Sequence, residues 1–383
     1  MAYTFLTPKK IISGENALTD AKNELKKLGH KAFIVTDATM VKLGNVALLE
    51  DVLKQNETDY FIFDEVNYEP DDIIVAKAAQ TYKNENCDHL IALGGGSPID
   101  TAKAISLLLN DDAPLSSYMG KIIDINRPAL AAIPTTAGTG SEATKFTIIN
   151  DTTNKVKMLL TGPCLIPDLA IIDPLFSKTA PKSVTSHTGI DALCHAIEAY
   201  TSRKAQPLSD TFALSAIKRI FENLETCYND GNNIEARVQM SLAALEAGIA
   251  FNNASVTIVH GMSRPMGALF HVPHGLSNAM LLKECMAFVV DGAYDRFGKI
   301  ARYLSFTNIA DDKMASEIFL DHLNTLLEHL HVPSMSEYGI DRDTYFENIE
   351  KMAQDAYISG SPSNTIKEVT VEDMMALYEK IYR

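Results

Sequence analysis

The chain has 383 residues, 46% of them hydrophobic and 22% charged, an ordinary globular balance long enough for two cores rather than one. With 34 lysines and arginines against 49 aspartates and glutamates, the formal charge is −15, which disfavours nucleic acid and anionic membrane surfaces as partners. No stretch approaches the roughly 20 apolar residues of a membrane span, the first ten residues do not read as a secretory leader, and five scattered cysteines without a CxxC pair read as reduced thiols in a cytoplasmic protein.

Taken in chain order, residues 17–28 are amphipathic at helical spacing, 31–37 and 60–63 are short apolar strands, and 71–84 is helical again. Strands follow at 89–93, 128–133 and 168–172. Their apolarity is continuous rather than alternating, as expected of strands covered on both faces in a parallel sheet. Strand–helix–strand repetition of this kind builds an open α/β sheet whose ligands lie beyond the carboxyl ends of the strands. Past about residue 174 strand signals nearly vanish, and helical spacing runs through 190–202, 209–224, 234–250, 310–330, 345–356 and 371–382. The expectation is an open α/β domain with a mostly parallel sheet over 1–178 and an all-helical domain over 179–383. The cleft between two such domains is the default place for a site.

Two loops of the first domain suggest a nucleotide. Leu93-Gly-Gly-Gly-Ser-Pro-Ile-Asp100 joins a strand to an amphipathic helix, with Ser97 as its expected N-cap and Pro98 at its first position. Glycines let backbone N–H groups approach a ligand, and a helix N-terminus attracts a pyrophosphate. Such a turn is also common without any ligand. The second loop, Pro134-Thr-Thr-Ala-Gly-Thr-Gly-Ser-Glu142, is denser in hydroxyls than a structural turn requires. Asp37, closing the first strand, is placed either to accept from ribose hydroxyls, favouring NAD over NADP, or simply to form the following turn.

Asp191 and His195 stand four apart on a predicted helix and so share one face. His260 and His274 lie fourteen residues apart further on. One carboxylate and three imidazoles suit a borderline divalent cation such as Fe²⁺ or Zn²⁺. Singly, each is ambiguous, because helical histidines are usually satisfied polar residues and an Asp/His pair at this spacing is common helix support.

Taken together, Gly94–Asp100, Pro134–Glu142, Thr188-Gly-Ile-Asp-Ala-Leu-Cys-His-Ala-Ile-Glu-Ala-Tyr200, Ala250-Phe-Asn-Asn-Ala254, Val259-His-Gly-Met262 and Pro273-His-Gly-Leu-Ser-Asn278 resemble the iron-containing, group III alcohol dehydrogenases in order and spacing. The resemblance implies the two domains above, the first of them Rossmann-like, with metal and nicotinamide in the cleft between them. It implies Asp191, His195, His260 and His274 as ligands of Fe²⁺, alternatively Zn²⁺, and NAD(H) contacts at Asp37, Gly95, Gly96, Ser97, Thr135, Thr136, Thr139 and Lys157. Phe251 matches an aromatic residue of the substrate pocket. A homodimer or larger homo-oligomer is implied as well.

The activity expected is interconversion of a small primary alcohol or diol and its aldehyde, the metal polarising oxygen and hydride passing to or from nicotinamide C4. A lyase of the dehydroquinate-synthase type shares the fold, but needs more basic residues near the ligands than this sequence offers.

Three positions depart from the family pattern. Arg264 stands where many members have a second histidine, and it cannot relay a proton, so His271 is the candidate relay. Arg264 is placed either to hold the carboxylate or phosphonate of an ω-aldehyde acid such as succinic semialdehyde, or to pair with a local acidic side chain or pack under the loop. Glu69-Pro70 replaces an Asn-Pro on the adenosine side. His187, one turn before Asp191, reads best as a helix cap.

Overall fold

The computed structural model describes residues 2–110 and 113–382. It forms two compact units, one from Leu6 to Ala180, the other from Pro181 onward together with the N-terminal residues through Phe5.

In the first unit β1 (Lys10–Ser13), β2 (Lys31–Val35), β3 (Asp59–Phe63), β4 (His89–Gly94), β5 (Leu130–Pro134) and β8 (Leu169–Ile172) make one sheet. Its order is β1-β8-β5-β4-β2-β3, and every pairing is parallel. Phe33, Val35, Leu90, Ala92, Leu130 and Ala132 pack on one side with helices Asp72–Asn84 and Gly96–Leu108. Their strand neighbours Ala32, Ile34, Ile91, Leu93, Ala131 and Ile133 pack on the other with helix Asn45–Gln55. Both faces are therefore dry, which is why the strands read as unbroken apolar runs.

Two features were not legible in that pattern. β1 is a half-exposed edge strand, Lys-Ile-Ile-Ser, too short and too polar at its ends to register. β6 (Phe146–Asp151) and β7 (Val156–Thr161) form a separate antiparallel hairpin, whose cross-strand pair Ile148 and Leu159 is exposed while Ile149, Met158 and Leu160 are buried. Apolar residues on both faces of a one-sided ribbon hide its alternation.

The second unit is helical throughout its regular structure. Its first long helix runs Lys182–Tyr200, eight residues earlier than the apolar spacing suggests, so His187 lies in its second turn and caps nothing. Helices Ile258–Phe270, His274–Val289 and Tyr294–Tyr303 were also unanticipated. Pro265 inside the first reads as a breaker, yet it merely removes one N–H from an otherwise intact helix. Pro273-His-Gly reads as a turn, but Pro273 is the N-cap and His274 already opens the next helix. Among the described residues, no single helix is long and apolar enough to cross a membrane.

Candidate functional site

Within the helical unit the four predicted ligands come together. Asp191 and His195, one turn apart on Lys182–Tyr200, are buried, as is His260 near the start of Ile258–Phe270. Around Asp191 Oδ1 lie His260 Nε2 at 3.5 Å, His274 Nε2 at 3.7 Å and His195 Nε2 at 4.0 Å. His274 reaches this point because Gly275 lets its helix dock closely: a Cβ there would sit 2.5 Å from the His187 carbonyl oxygen. Phe251, on Ile234–Ala254, stacks on His195 with centroids 4.2 Å apart, and His195 stacks in turn on His260 at 4.4 Å.

Two neighbours that the sequence reading did not single out fix these rings. Glu198, fully buried on the same helix face, accepts from His260 Nδ1, from Val259 N at 2.6 Å and from Thr257 Oγ1 at 2.8 Å. That assigns the ring proton to Nδ1 and turns the Nε2 lone pair toward Asp191. Asn278, one turn after His274, holds its amide nitrogen 2.7 Å from Asp191 Oδ1, 3.1 Å from His260 Nε2 and 3.3 Å from His274 Nε2. Helical periodicity was the available signal for both: Glu198 is i+3 from His195, and Asn278 is i+4 from His274.

The electrostatics of this cluster call for a cation. Burial alone would raise the Asp191 carboxyl, yet the imidazoles of His195, His274 and His260 hold it well below the usual range. Burial pushes His195 down to about 3, against the pull of Asp191. His260 is opposed by burial but lifted to about 9 by Glu198 and Asp191, so positive charge is favoured at this ring. The Asn278 amide has two protons for three surrounding acceptors and cannot satisfy all of them. Four donors around one divalent ion, each about 2.1 Å from it in tetrahedral array, stand about 3.4 Å apart. Asp191, His195 and His260 offer ligand atoms within 4.8 Å of one another, His274 Nε2 joins them 3.7 Å from Asp191 Oδ1, and a N₃O donor set suits Fe²⁺ or Zn²⁺, so the residues fit such an ion.

The other predicted residues of this unit are placed differently. Arg264, half-buried one turn after His260, donates from Nη1 to Ser361 Oγ at 3.0 Å and, among the described residues, pairs with no carboxylate. The local acidic partner considered for it is not there, and its contact is instead with the loop that carries Ser361. His271 is exposed, closes Ile258–Phe270 with φ 54°, and among the described residues makes no side-chain hydrogen bond.

In the α/β unit the two polar loops face each other. Thr135 N donates to Gly94 O at 3.0 Å, and a Cβ on Gly96 would meet Thr139 Cγ2 at 3.2 Å. The helix begins at Gly96 with Gly95 as N-cap, two residues before the expected Ser97 cap, and no side chain caps it. Its first N–H groups are therefore not consumed by a seryl oxygen. Gly95, Gly96, Ser97, Thr136 and Thr139 are half-buried and Thr135 is buried, a surface that backbone and hydroxyl donors line together.

Beneath it the fully buried Lys103 ammonium donates to Thr144 O and Phe146 O at 2.8 Å and to Thr144 Oγ1 at 2.9 Å, tying helix to loop. Burial pushes Lys103 down to about 8, Asp100 up to about 6 and Glu142 up to about 7.

Asp37 caps helix Ala38–Lys42, with Oδ1 accepting from Thr39 N and Met40 N, while Oδ2 has no partner among the described residues. Lys157, on β7, is exposed and pairs with Glu69, the residue that departs from the family pattern, at 2.7 Å.

Comparison with known proteins agrees in one direction. Residues 8–174 match the iron-containing alcohol dehydrogenase family, and residues 185–382 match its C-terminal domain. A NAD-dependent methanol dehydrogenase of Bacillus methanolicus is 34% identical over 380 residues, covering 98% of each chain. A NADPH-dependent butanol dehydrogenase of Clostridium saccharobutylicum is 31% identical over 384 residues, covering 99% of this chain and 97% of that one. A crystal structure of 1,3-propanediol oxidoreductase superposes with a TM-score of 0.96 at 30% identity and full coverage of both chains. The chain belongs to the iron-containing alcohol dehydrogenase family and is an oxidoreductase.

Proposed function

We propose that this oxidoreductase interconverts a small primary alcohol or diol and its aldehyde with NAD(H), and that Asp191, His195, His260 and His274 hold one divalent cation, Fe²⁺ or alternatively Zn²⁺. The observation that carries the reading is the convergence of three imidazole Nε2 atoms on one carboxylate oxygen at 3.5–4.0 Å. A cation held there supplies Lewis-acid polarisation of the substrate oxygen, and nicotinamide gives or takes the hydride.

The chain's own residues do the rest. Glu198 keeps His260 in the tautomer that offers Nε2, and Asn278 steadies Asp191. Phe251 lends an apolar wall beside His195 that favours a hydrocarbon substrate over water. The uncapped helix start at Gly95–Ser97 and the hydroxyls of Thr135, Thr136 and Thr139 bind the pyrophosphate. Lys157 contributes its charge on the cofactor side, released from Glu69. Asp37 Oδ2 accepts from ribose hydroxyls and repels a 2′-phosphate, which favours NAD over NADP. We assign the proton's exit to His271, the exposed imidazole at the end of the helix that carries His260. The reading carries with it a homo-oligomer in the cytoplasm, where five free thiols stay reduced.

Protein purified without oxygen and loaded with Fe²⁺ is expected to consume NADH, followed by absorbance, in the presence of small aldehydes. A lyase, which recycles its cofactor, gives no net change. His260→Ala is expected to lose both bound metal and turnover; full activity in metal-free protein overturns the proposal.

A further inference from the structure

Arg264 follows His260 by one turn, so both side chains leave the same face of Ile258–Phe270, about 6 Å apart along its axis. Other partly buried arginines of the chain meet a carboxylate: Arg127 with Asp168, Arg219 with Glu246, Arg296 with Asp210, Arg302 with Asp312; the fully buried Arg237 is held instead by Gly231 O and Thr185 Oγ1, from two of its nitrogens. Arg264 meets no carboxylate among the described residues. Of its five N–H donors, the one to Ser361 is the only one engaged among the described residues.

Ser361 is itself fixed. Pro362 packs where a Cβ of Gly261 would lie, and the Asn364 amide donates to Ser255 Oγ at 3.0 Å and Val256 O at 3.1 Å. The guanidinium is thus held from one side by Ser361, while among the described residues its other N–H groups meet no acceptor. The opposite charge acting on it is Glu198, whose oxygens are already occupied by His260, Val259 and Thr257. A half-buried cation in this state has lost part of its hydration without gaining a counter-charge. A carboxylate matches the planar fork with two parallel charge-assisted hydrogen bonds and offsets that cost.

We propose that Arg264 receives a carboxylate at the far end of the substrate, making the preferred substrate a short ω-oxo or ω-hydroxy acid. The axial offset from His260 suits a chain of about four carbons. This rests on the dehydrogenase reading above, with the reacting oxygen at the His260 end.

The test pairs two measurements on cation-loaded protein. With NADH, kcat/KM for succinic semialdehyde is expected to exceed that for butyraldehyde by about tenfold or more. In Arg264→Met that ratio falls by about tenfold or more, chiefly through KM, and Arg264→Lys restores it in part because it keeps charge but not the fork. Independently of turnover, calorimetric titration with butyrate, an inert carboxylate, is expected to show binding that Arg264→Met weakens by a similar factor, with circular dichroism unchanged. A wild-type ratio at or below one, a ratio unmoved by Arg264→Met, or butyrate affinity unmoved by it overturns the proposal. Were neither aldehyde to consume NADH, the dehydrogenase reading would fall, while the butyrate titration would still decide the role of Arg264.

Discussion

Glu198→Gln removes one charge and almost no volume, and so isolates what the carboxylate does for His260. In the wild type one oxygen takes the His260 Nδ1 proton and the other takes protons from Val259 N and Thr257 Oγ1. A glutamine cannot satisfy both sides. With its NH₂ toward His260 it demands the other tautomer, which places a proton on Nε2, the atom facing Asp191 at 3.5 Å. With its carbonyl toward His260, the NH₂ meets the Val259 N–H, donor against donor, in a fully buried site. Either arrangement leaves a buried group unsatisfied at about 1–3 kcal/mol, and loss of such a partner typically weakens metal affinity about 10–100-fold. The assay is competition with a chelator of known affinity, in parallel with turnover. Glu198→Asp keeps the charge and is expected to fall between the two. Wild-type metal affinity in Glu198→Gln refutes the tautomer argument.

Three further outcomes follow from other contacts. Glu142 is buried, with Oε2 lacking a partner, and burial raises its pKa from 4.5 to about 7, so the folded state prefers it protonated. Its contribution to stability is therefore fullest below about pH 4.5 and lost as pH rises through about 7; relative to Glu142→Gln, the wild type should weaken over that window by at most about 3 kcal/mol, read as urea midpoints without cofactor, and parallel pH profiles for the two proteins would refute it. Gly275→Ala gains about 1 kcal/mol of helix propensity but drives Cβ to within 2.5 Å of the His187 carbonyl, so a net loss of about 1–3 kcal/mol in urea unfolding is expected, and an unchanged midpoint contradicts the docking argument. His271→Gln is expected to flatten the pH dependence of kcat, and an unaltered pH–rate profile removes His271 from the proton path.

What could be read in advance depended on whether a residue's local neighbours determine its role. Strands β2, β4 and β5 were legible because both of their faces are dry, and the order of loops along the sheet followed. Helix Ile258–Phe270 was not, because Pro265 argues locally against a helix whose packing overrides it. The Ser97 cap failed for a related reason: sequence favours a seryl cap, while the helix is capped two residues earlier, at Gly95, with no side chain on its first donors. Asp191, His195, His260 and His274 were singled out by resemblance, since spacing alone left them as two ordinary pairs. Glu198 and Asn278 were overlooked because their function lies in contacts across 62 and 87 residues of chain, to His260 and Asp191.

Those two residues also bear on why a divalent ion, rather than a proton, suits this site. Asp191 and Glu198 are both buried and both held in the charged form, while His195 is kept neutral and His260 spends its Nδ1 proton on Glu198. Without a proton on His260 Nε2 the buried cluster carries two negative charges, and with no ion present, and against burial, these lift His260 to about 9. One added proton on His260 leaves a charge uncompensated in a desolvated site, where the cost is greatest. A divalent ion neutralises both and satisfies every inward lone pair at once, which the Asn278 amide cannot do. The same contacts bear on Arg264: Glu198 already accepts from His260, Val259 and Thr257, and the guanidinium donates to Ser361 instead, which leaves it for the substrate carboxylate proposed above.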